Sequence, residues 1–281
     1  MTLVIGCLVV ISCMILIYWK SSYSPFKSQF KNKMRHYIDE HQPAKEVCTK
    51  EEIEKLPIAF QRYCKYIGLE NFPKYQVANA FFKQTDFIFD DQKGIKLKMD
   101  YNLWLFSKSP LRFAYCESAL HGIPFEGEDY CTEQKEGGMR GFLAKAIPLF
   151  NTHDAQGYRA VLISWVVEAV ILNPSVLFSK YLTYKQIDDN HVQVTIEVEG
   201  IKGTGVFTMN EEGAITSFYS DERQVAQING IETLIGWRCE CEAYQGKERL
   251  RQPKIIRAIK VYPDKEIVYF ESHDFSMEYL K

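Results

Sequence analysis

The chain has 281 residues, of which 46% are hydrophobic, 25% charged and 14% aromatic. These proportions are typical of a folded globular protein and exclude a disordered, collagen-like or low-complexity chain. The net charge of −2 is unevenly distributed: residues 1–50 carry seven basic and three acidic side chains, so the rest of the chain is acidic. A nucleic-acid-binding protein needs a basic face to displace counterions from phosphates, so this composition argues against nucleic acid as a partner.

The first predicted element is a transmembrane helix. The run from Leu3 to Trp19 contains no charged residue. At about 1.5 Å per residue, a helix of this length spans about 25 Å, the short end of what crosses a bilayer. Tyr18 and Trp19 close the run, and amphipathic rings favour the membrane interface. We therefore interpret residues 1–19 as an uncleaved single-pass anchor, which makes the membrane a partner through residues 3–19.

Two other interpretations of this segment stay open. A cleaved signal peptide normally has a basic residue ahead of its apolar run, and Met1-Thr2 supplies none. A lipidation box could end at Cys13, although the apolar run continues beyond that residue.

Basic residues dominate the next segment, residues 20–47. Lys20 and Arg35 bracket three further lysines, and no acidic residue precedes Asp39. The positive-inside bias then favours the cytoplasmic side of the membrane for the body of the protein. We interpret residues 20–47 as a polar, basic tether, whose charges either stop translocation or also contact anionic lipid headgroups.

Residues 48–281 are predicted to form a single globular domain rich in β-strands. Its first element is a helix, because Thr49 and Glu52 have the spacing of a capping box and apolar residues then recur every three or four positions. Pro57 should interrupt this helix, and Gly68 should end it. The predicted strands are Tyr75–Phe89, Ile95–Phe106, Leu111–Cys116, Met139–Ile147, His191–Glu199, Ile201–Met209, Ala214–Asp221, Gln224–Ile228, Ile231–Tyr244, Lys254–Val261 and Glu266–Tyr279.

One long helix, Asp154–Leu172, interrupts the strands. Residues 157–172 are apolar almost all round, with Arg159 and Glu168 as the charged exceptions, and a helix of this kind is buried inside a protein. A sheet with one apolar face must close or wrap around something that hides this face. The predicted fold is α+β and mostly antiparallel β: a curved sheet or incomplete β-barrel packed around this central apolar helix and preceded by the N-terminal transmembrane helix.

Sequence motifs for catalysis or cofactor binding are missing. The chain has no G-x-G-x-x-G after a strand, no P-loop, no H-E-x-x-H and no G-x-S-x-G, and its six histidines do not pair at a helical ligand spacing. Cys239 and Cys241 alternate onto one strand face with Trp237, where small thiols in a core are the expected arrangement. We expect no metal and no cofactor. The disulfide state stays open for Cys48, Cys64, Cys116, Cys131, Cys239 and Cys241.

Glu168 is the residue that the sequence singles out. A carboxylate on an otherwise apolar helix costs several kcal/mol if it is buried without a partner. At about 100° per residue, Glu168 and Ser164 share one strip of the helix. We expect Glu168 either to pair with a buried arginine of the sheet, with Arg223 as the candidate, or to line a cavity.

Aromatic residues supply the remaining candidates. Core packing explains most of them, but a half-open sheet rich in aromatic residues commonly leaves an apolar cavity, the usual form of a small-ligand site. The candidate ligand-binding residues are Glu168, Arg223, Trp165, Trp237 and Tyr244.

A series of short motifs runs through the body of the chain from Leu56 to Tyr279. In order, they are Leu56-Pro57, Arg62-Tyr63, Gly68, Gln156-Gly157, Glu168-Ala169, Pro174-Ser175-Val176-Leu177, Asp188, Gly213, Asp221 to Arg223, Trp237, Tyr244, Gly246 and Pro253. In these residues the chain resembles a family of uncharacterised bacterial proteins, domain of unknown function 6544, which is also catalogued with 6920. The resemblance implies a fold and a bacterial origin, but no reaction. The strand-rich pattern is similar to half-barrels that carry lipids or lipoproteins, an analogy of fold alone.

Three functions are consistent with the sequence. The leading hypothesis is a membrane-anchored module that binds a lipid or another hydrophobic small molecule. The alternatives are an envelope structural or interaction protein without a small ligand, and an enzyme that uses Glu168 in a cavity.

Overall fold

A computed structural model describes residues 2–41, 45–91, 93–134, 136–153, 155–226, 232–246 and 250–280. The helices are α1 (Thr2–Lys20), α2 (Pro25–Asp39), α3 (Lys50–Ile53), α4 (Ile58–Ile67) and α5 (Ala155–Leu172), with a 3-10 turn at Pro174–Phe178. The strands are β1 (Val77–Asp90), β2 (Ile95–Phe106), β3 (Leu111–Leu120), β4 (Ile123–Cys131), β5 (Gly137–Leu143), β6 (Ile147–His153), β7 (Leu182–Gln186), β8 (His191–Val198), β9 (Ile201–Met209), β10 (Ile215–Ser220), β11 (Gln224–Ala226), β12 (Glu232–Leu234), β13 (Gly236–Glu242), β14 (Ile255–Val261), β15 (Glu266–Ser272) and β16 (Phe275–Leu280).

Fourteen of these strands form one antiparallel sheet. Its order is β6-β5-β4-β3-β2-β1-β15-β14-β13-β10-β9-β8-β7, and β16 pairs with β1 beside β15, whereas β11 and β12 pair separately. Helix α5 contacts β5, near one edge of this order, as well as β8 and β9, near the other. A sheet whose two distant parts touch the same helix must curve around it. The predicted fold class is therefore confirmed.

Helix α5 supplies the centre of the main core. Trp165, Val167 and Val170 are fully buried, and the Trp165 indole Nε1 donates a hydrogen bond to the Phe106 carbonyl at 3.0 Å. Arg159 is exposed, on the side of the helix away from Glu168. Asp154, the predicted start of this helix, lies outside the described residues.

The local signals at the start of the body match its structure. Thr49 and Glu52 form the capping box of α3, Pro57 separates α3 from α4, and Gly68 ends α4 in the left-handed conformation with φ 76°. A glycine adopts this conformation without the clash of a Cβ atom.

Residues 20–47, predicted as a basic tether, contain helix α2, and this helix packs on the outer face of the sheet. Ser24 caps it, and Phe26, Phe30 and Met34, spaced four residues apart, are buried against β3 and its neighbours. The apolar stripe contains only these three residues, and many basic residues surround them in the sequence. The composition of the segment therefore does not reveal a packed helix.

Strand β4, which the sequence analysis did not predict, lies beneath α2. Its outer face carries two buried carboxylates. Glu126 accepts hydrogen bonds from Ser24 and Tyr115, and Glu128 pairs with Lys33 and Arg140. Burial is the larger influence on Lys33 and lowers its pKa, although the Glu128 carboxylate opposes this shift. These acids interrupt the apolar alternation of β4, and their partners on α2 and on the two neighbouring strands explain why they are there.

Candidate functional site

A cavity of about 360 Å³ lies between α5 and the inner face of the sheet. Its walls are mostly apolar and aromatic, which is the usual character of small-ligand sites. The helix contributes one strip of its surface, formed by Gly157, Val161, Ser164 and Glu168, each about one helical turn after the one before it. Sheet residues on its wall include Phe82, Phe125, Phe150, Trp237 and Phe270.

The wall contains a buried ionic cluster centred on Arg112 of β3. The Arg112 guanidinium binds both carboxylate oxygens of Glu168, with Nη2 at 2.8 Å from Oε1. Nη2 also donates to the Tyr101 hydroxyl at 2.6 Å, and Nη1 lies 2.8 Å from an oxygen of Asp129. With one cation and two carboxylates, this cluster places a fixed polar group on the wall of a mostly apolar cavity.

The charge of Arg112 is maintained by its partners. Only 2% of its side chain is exposed. Burial alone would lower its pKa, but the carboxylates of Asp129 and Glu168 outweigh burial and raise the pKa. Burial also raises the pKa of Tyr101, whose hydroxyl therefore stays neutral. The cluster is thus built around a charged guanidinium and a neutral tyrosine hydroxyl.

The predicted pairing of Glu168 with Arg223 is wrong, because Arg112 occupies the carboxylate. Arg223 lies one helical turn away, where its Nε donates to the Ser164 hydroxyl at 3.1 Å. Its guanidinium stacks 4.6 Å from the centre of the Trp237 ring. Arg223 is half-buried and lines the cavity, and among the ion pairs of the described residues none involves it.

The five candidate residues separate into two groups. Glu168, Arg223 and Trp237 line the cavity, and the Trp237 indole donates to the Tyr269 hydroxyl at 2.9 Å. Trp165 lies elsewhere in the core and bonds to Phe106. Tyr244 packs edge-on against Tyr66 and donates to the Ile215 carbonyl at 3.0 Å. The geometry of these last two residues is that of core packing.

Sequence reasoning missed Arg112 and Asp129. Arg112 stands between Leu111 and Phe113 in an apolar strand, so the argument that singled out Glu168 applies to it equally. Asp129 follows two other acidic residues, and nothing in the sequence shows that it faces inward while Glu128 faces α2.

Cysteines also reach the cavity wall. Cys116 and Cys239 line it, and all eight cysteines are unpaired thiols. Burial raises the pKa of Cys116 to about 12, so this thiol is neutral and a poor nucleophile. In the described part of the chain, no group of three His, Cys, Asp or Glu residues could hold a metal ion.

At one end of the sheet, Phe89 of β1 and Phe125 of β4 line the cavity. The β1–β2, β3–β4 and β5–β6 turns, which follow Asp90, Leu120 and Leu143, all lie at this end, which we call the open end. Strand β13 begins there, and Lys260 of β14 bridges to Asp91 at 3.1 Å. Arg112, second residue of β3, lies toward the opposite end.

Helix α1 is long and apolar enough to cross a membrane, a property that it shares with signal sequences. Its side chains are exposed from Leu3 to Ile17. Only Tyr18 and Trp19, at its C-terminal end, are half-buried.

Comparisons with known proteins find one family and two solved structures of low similarity. No curated protein matches the chain. A LolA superfamily protein from Nitrosomonas europaea is 10% identical, with a TM-score of 0.36 over 84% of this chain and 95% of that one. A DUF1329 family protein from Desulfovibrio piger is also 10% identical, with a TM-score of 0.40 over 83% of this chain and 94% of that one. The model of a family of unknown function, DUF6544, matches residues 46–272, and the chain belongs to this family.

Proposed function

We propose that the protein is a membrane-anchored module that binds a hydrophobic or amphipathic small molecule, such as a lipid, in the cavity between α5 and the sheet. The observation that carries this proposal is the apolar cavity of about 360 Å³. A void of this size lined by aromatic and aliphatic side chains costs stability when it is empty, and an apolar ligand would restore the missing contacts.

The position of Arg223 is our reason to propose that this ligand has an anionic end group. Its guanidinium is held by Ser164 and Trp237, two contacts that orient it without neutralising it. Guanidinium groups recognise carboxylates and phosphates through paired hydrogen bonds. The Arg112 cluster contains two carboxylates and one cation, so its excess negative charge would repel an anion and favour the Arg223 side of the cavity for the end group.

Helix α1 is the proposed anchor. Its exposed apolar surface is what a bilayer would cover, and Lys20 at its C-terminal end agrees with the positive-inside bias that favours a cytoplasmic body. Protease added to intact cells would trim the body only if it lies outside, which tests this side of the proposal.

Binding is tested with the full chain in detergent micelles and a dibrominated stearic acid as the probe. Because bromine quenches an indole that it contacts, bound acid should quench Trp237 saturably, and Trp237→Phe should remove this component. Ala160→Phe, which fills the cavity from α5, should abolish it. The matched control is Ala119→Phe, at an exposed position of β3.

The end group is tested with Arg223→Gln. We expect the variant to bind the acid about tenfold more weakly, because a charge-assisted hydrogen bond is lost. Binding of the corresponding brominated alcohol should be unchanged. Saturable quenching that survives Ala160→Phe would refute the cavity as the site.

A further inference from the structure

The junction between α1 and the body is a built contact that involves Lys145. This side chain is buried, and its Nζ donates to the carbonyl of Tyr18 in the last turn of α1 and to those of Ser21 and Tyr23 just beyond it, at 3.3, 2.6 and 3.1 Å. A cation is favoured at a helix C-terminus, where the last carbonyls have no partner within the helix. Lys145 therefore fixes the end of α1 to the β5–β6 turn.

The backbone of the turn that carries Lys145 has an unfavourable conformation for its residues. Ala144 and Lys145 both have positive φ, 54° and 63°, and the Ala146 amide closes the turn onto the Leu143 carbonyl at 3.2 Å. Two positive φ values usually call for Asn-Gly, because a Cβ atom is unfavourable there. Strain held at one point by its surroundings is an indication of function.

The β5–β6 turn belongs to the open end of the sheet. Since α1 is exposed up to Ile17 and becomes half-buried at Tyr18 and Trp19, it projects away from the body at this turn. Aromatic residues at the end of an apolar helix mark the membrane interface. The bilayer that takes up α1 would thus meet the open end of the sheet.

An apolar rim runs along the inner face at this end. Phe125, Leu143 and Ile147 are direct partners across β4, β5 and β6, so their side chains lie on one face. Phe125 lines the cavity, and Ile147, at the outer end of the row, is exposed. Leu149 on the same edge strand is exposed as well. The cavity wall is thus continuous with an apolar edge beside the anchor.

We propose that this rim, with the β5–β6 hairpin at its centre, docks on the bilayer that holds α1, so that the ligand passes from the bilayer into the cavity without crossing water. The partner of the surface is the lipid bilayer itself. This inference rests on the proposed function, because it describes how the same cavity is filled.

The test compares two isoleucines of equal exposure. Ile147 is 56% exposed in the rim, and Ile187 is 53% exposed beyond β7, at the opposite end of the sheet. The full chain is reconstituted in vesicles of phosphatidylcholine with a minor share of phosphatidylglycerol. The rate of Trp237 quenching is then measured after the dibrominated stearic acid is added to the membrane, and equilibrium binding is measured separately in micelles.

Ile147→Asp should load the acid from vesicles about tenfold more slowly, because a carboxylate resists contact with the bilayer, while its micelle affinity stays that of the unchanged chain. Ile187→Asp should match the unchanged chain in both measurements. Equal vesicle rates for the two variants would overturn the inference, and so would loss of micelle binding in Ile147→Asp, which would place Ile147 in the site itself. An unchanged chain that binds no acid in micelles would overturn the proposed function, and this inference with it.

Discussion

Arg112 on β3 and Glu168 on α5 form a two-point ion pair that joins the central helix to the sheet around it. The same guanidinium also lies 2.8 Å from the second carboxylate, Asp129 on β4. Three elements of the fold thus meet at one buried cation, which is the shared ion-pair partner of both carboxylates.

This arrangement predicts unequal effects of the two obvious substitutions. Arg112→Met leaves Glu168 and Asp129 without their cation, and breaking a buried pair in this way costs about 3–5 kcal/mol of unfolding free energy. Glu168→Gln leaves Arg112 with Asp129 and removes charge-assisted hydrogen bonds, at about 1.5–3 kcal/mol. Urea unfolding of the full chain in micelles, followed by circular dichroism, measures both, and equal losses would contradict the arrangement.

Local signals predicted much of the fold. Strands β2 and β9 begin and end where the alternation of their residues indicates, and the apolar helix is wrapped by a curved sheet as its composition requires. Strand β4 was not predicted, because Glu126 and Glu128 interrupt its pattern. These two acids are explained by tertiary contacts with Ser24, Lys33 and Arg140, which only the folded chain brings close to β4.

The candidate site was predicted in part for a similar reason. An ionisable residue in an apolar element signals a partner but does not identify it. Glu168 was recognised in this way, yet its partner is 56 residues away in sequence at Arg112, and spacing within α5 could not distinguish Arg112 from Arg223. The inward direction of Asp129 depends on strand register, which pairing with β3 and β5 sets.

Helix α2 should behave as part of the body and not as a loose tether. Phe30 is buried between α2 and Tyr115, with ring centres 5.1 Å apart. Phe30→Ala should cost about 3–5 kcal/mol of docking free energy, the usual penalty for an emptied aromatic site. Hydrogen exchange across Pro25–Asp39 should then accelerate while that of β2 and β9 does not.

The matched control for this helix is Lys31→Ala. Lys31 neighbours Phe30 but is exposed, so its replacement should leave exchange in α2 unchanged. Fast exchange of α2 in the unchanged chain would contradict the packed arrangement.

Asp91 should make stability depend on pH at the open end of the sheet. Partial burial raises its pKa, but hydrogen bonds from the Tyr262 hydroxyl, at 2.6 Å, and from Lys260 outweigh burial and hold the pKa below its usual 3.8. A carboxylate with a lowered pKa in the folded state stabilises the protein above its unfolded-state pKa, and this contribution disappears as the pH falls through the folded-state value.

Asp91→Asn should therefore cost about 1 kcal/mol at neutral pH, and the difference from the unchanged chain should shrink below about pH 4. Thermal unfolding across this pH range measures it. Asp86→Asn on the same strand is the control, because the Asp86–Lys98 pair is more than half exposed on both sides and such pairs contribute little. A penalty for Asp91→Asn that does not change with pH would refute the assignment.

Lys145 should determine the order of the segment that joins α1 to α2. Lys145→Met removes the ammonium that donates to the Tyr18, Ser21 and Tyr23 carbonyls while keeping a side chain of similar length, so hydrogen exchange at residues 21–24 should accelerate. Lys180→Met is the matched control, since Lys180 stacks on Tyr181 at 5.1 Å in an exposed position away from α1. The free energy of unfolding should fall by less in Lys145→Met than in Arg112→Met, because the β5–β6 turn lies at the edge of the sheet and outside the main core. If exchange at residues 21–24 is the same in both variants, the junction does not depend on Lys145, and α1 is oriented by the packing of α2 alone.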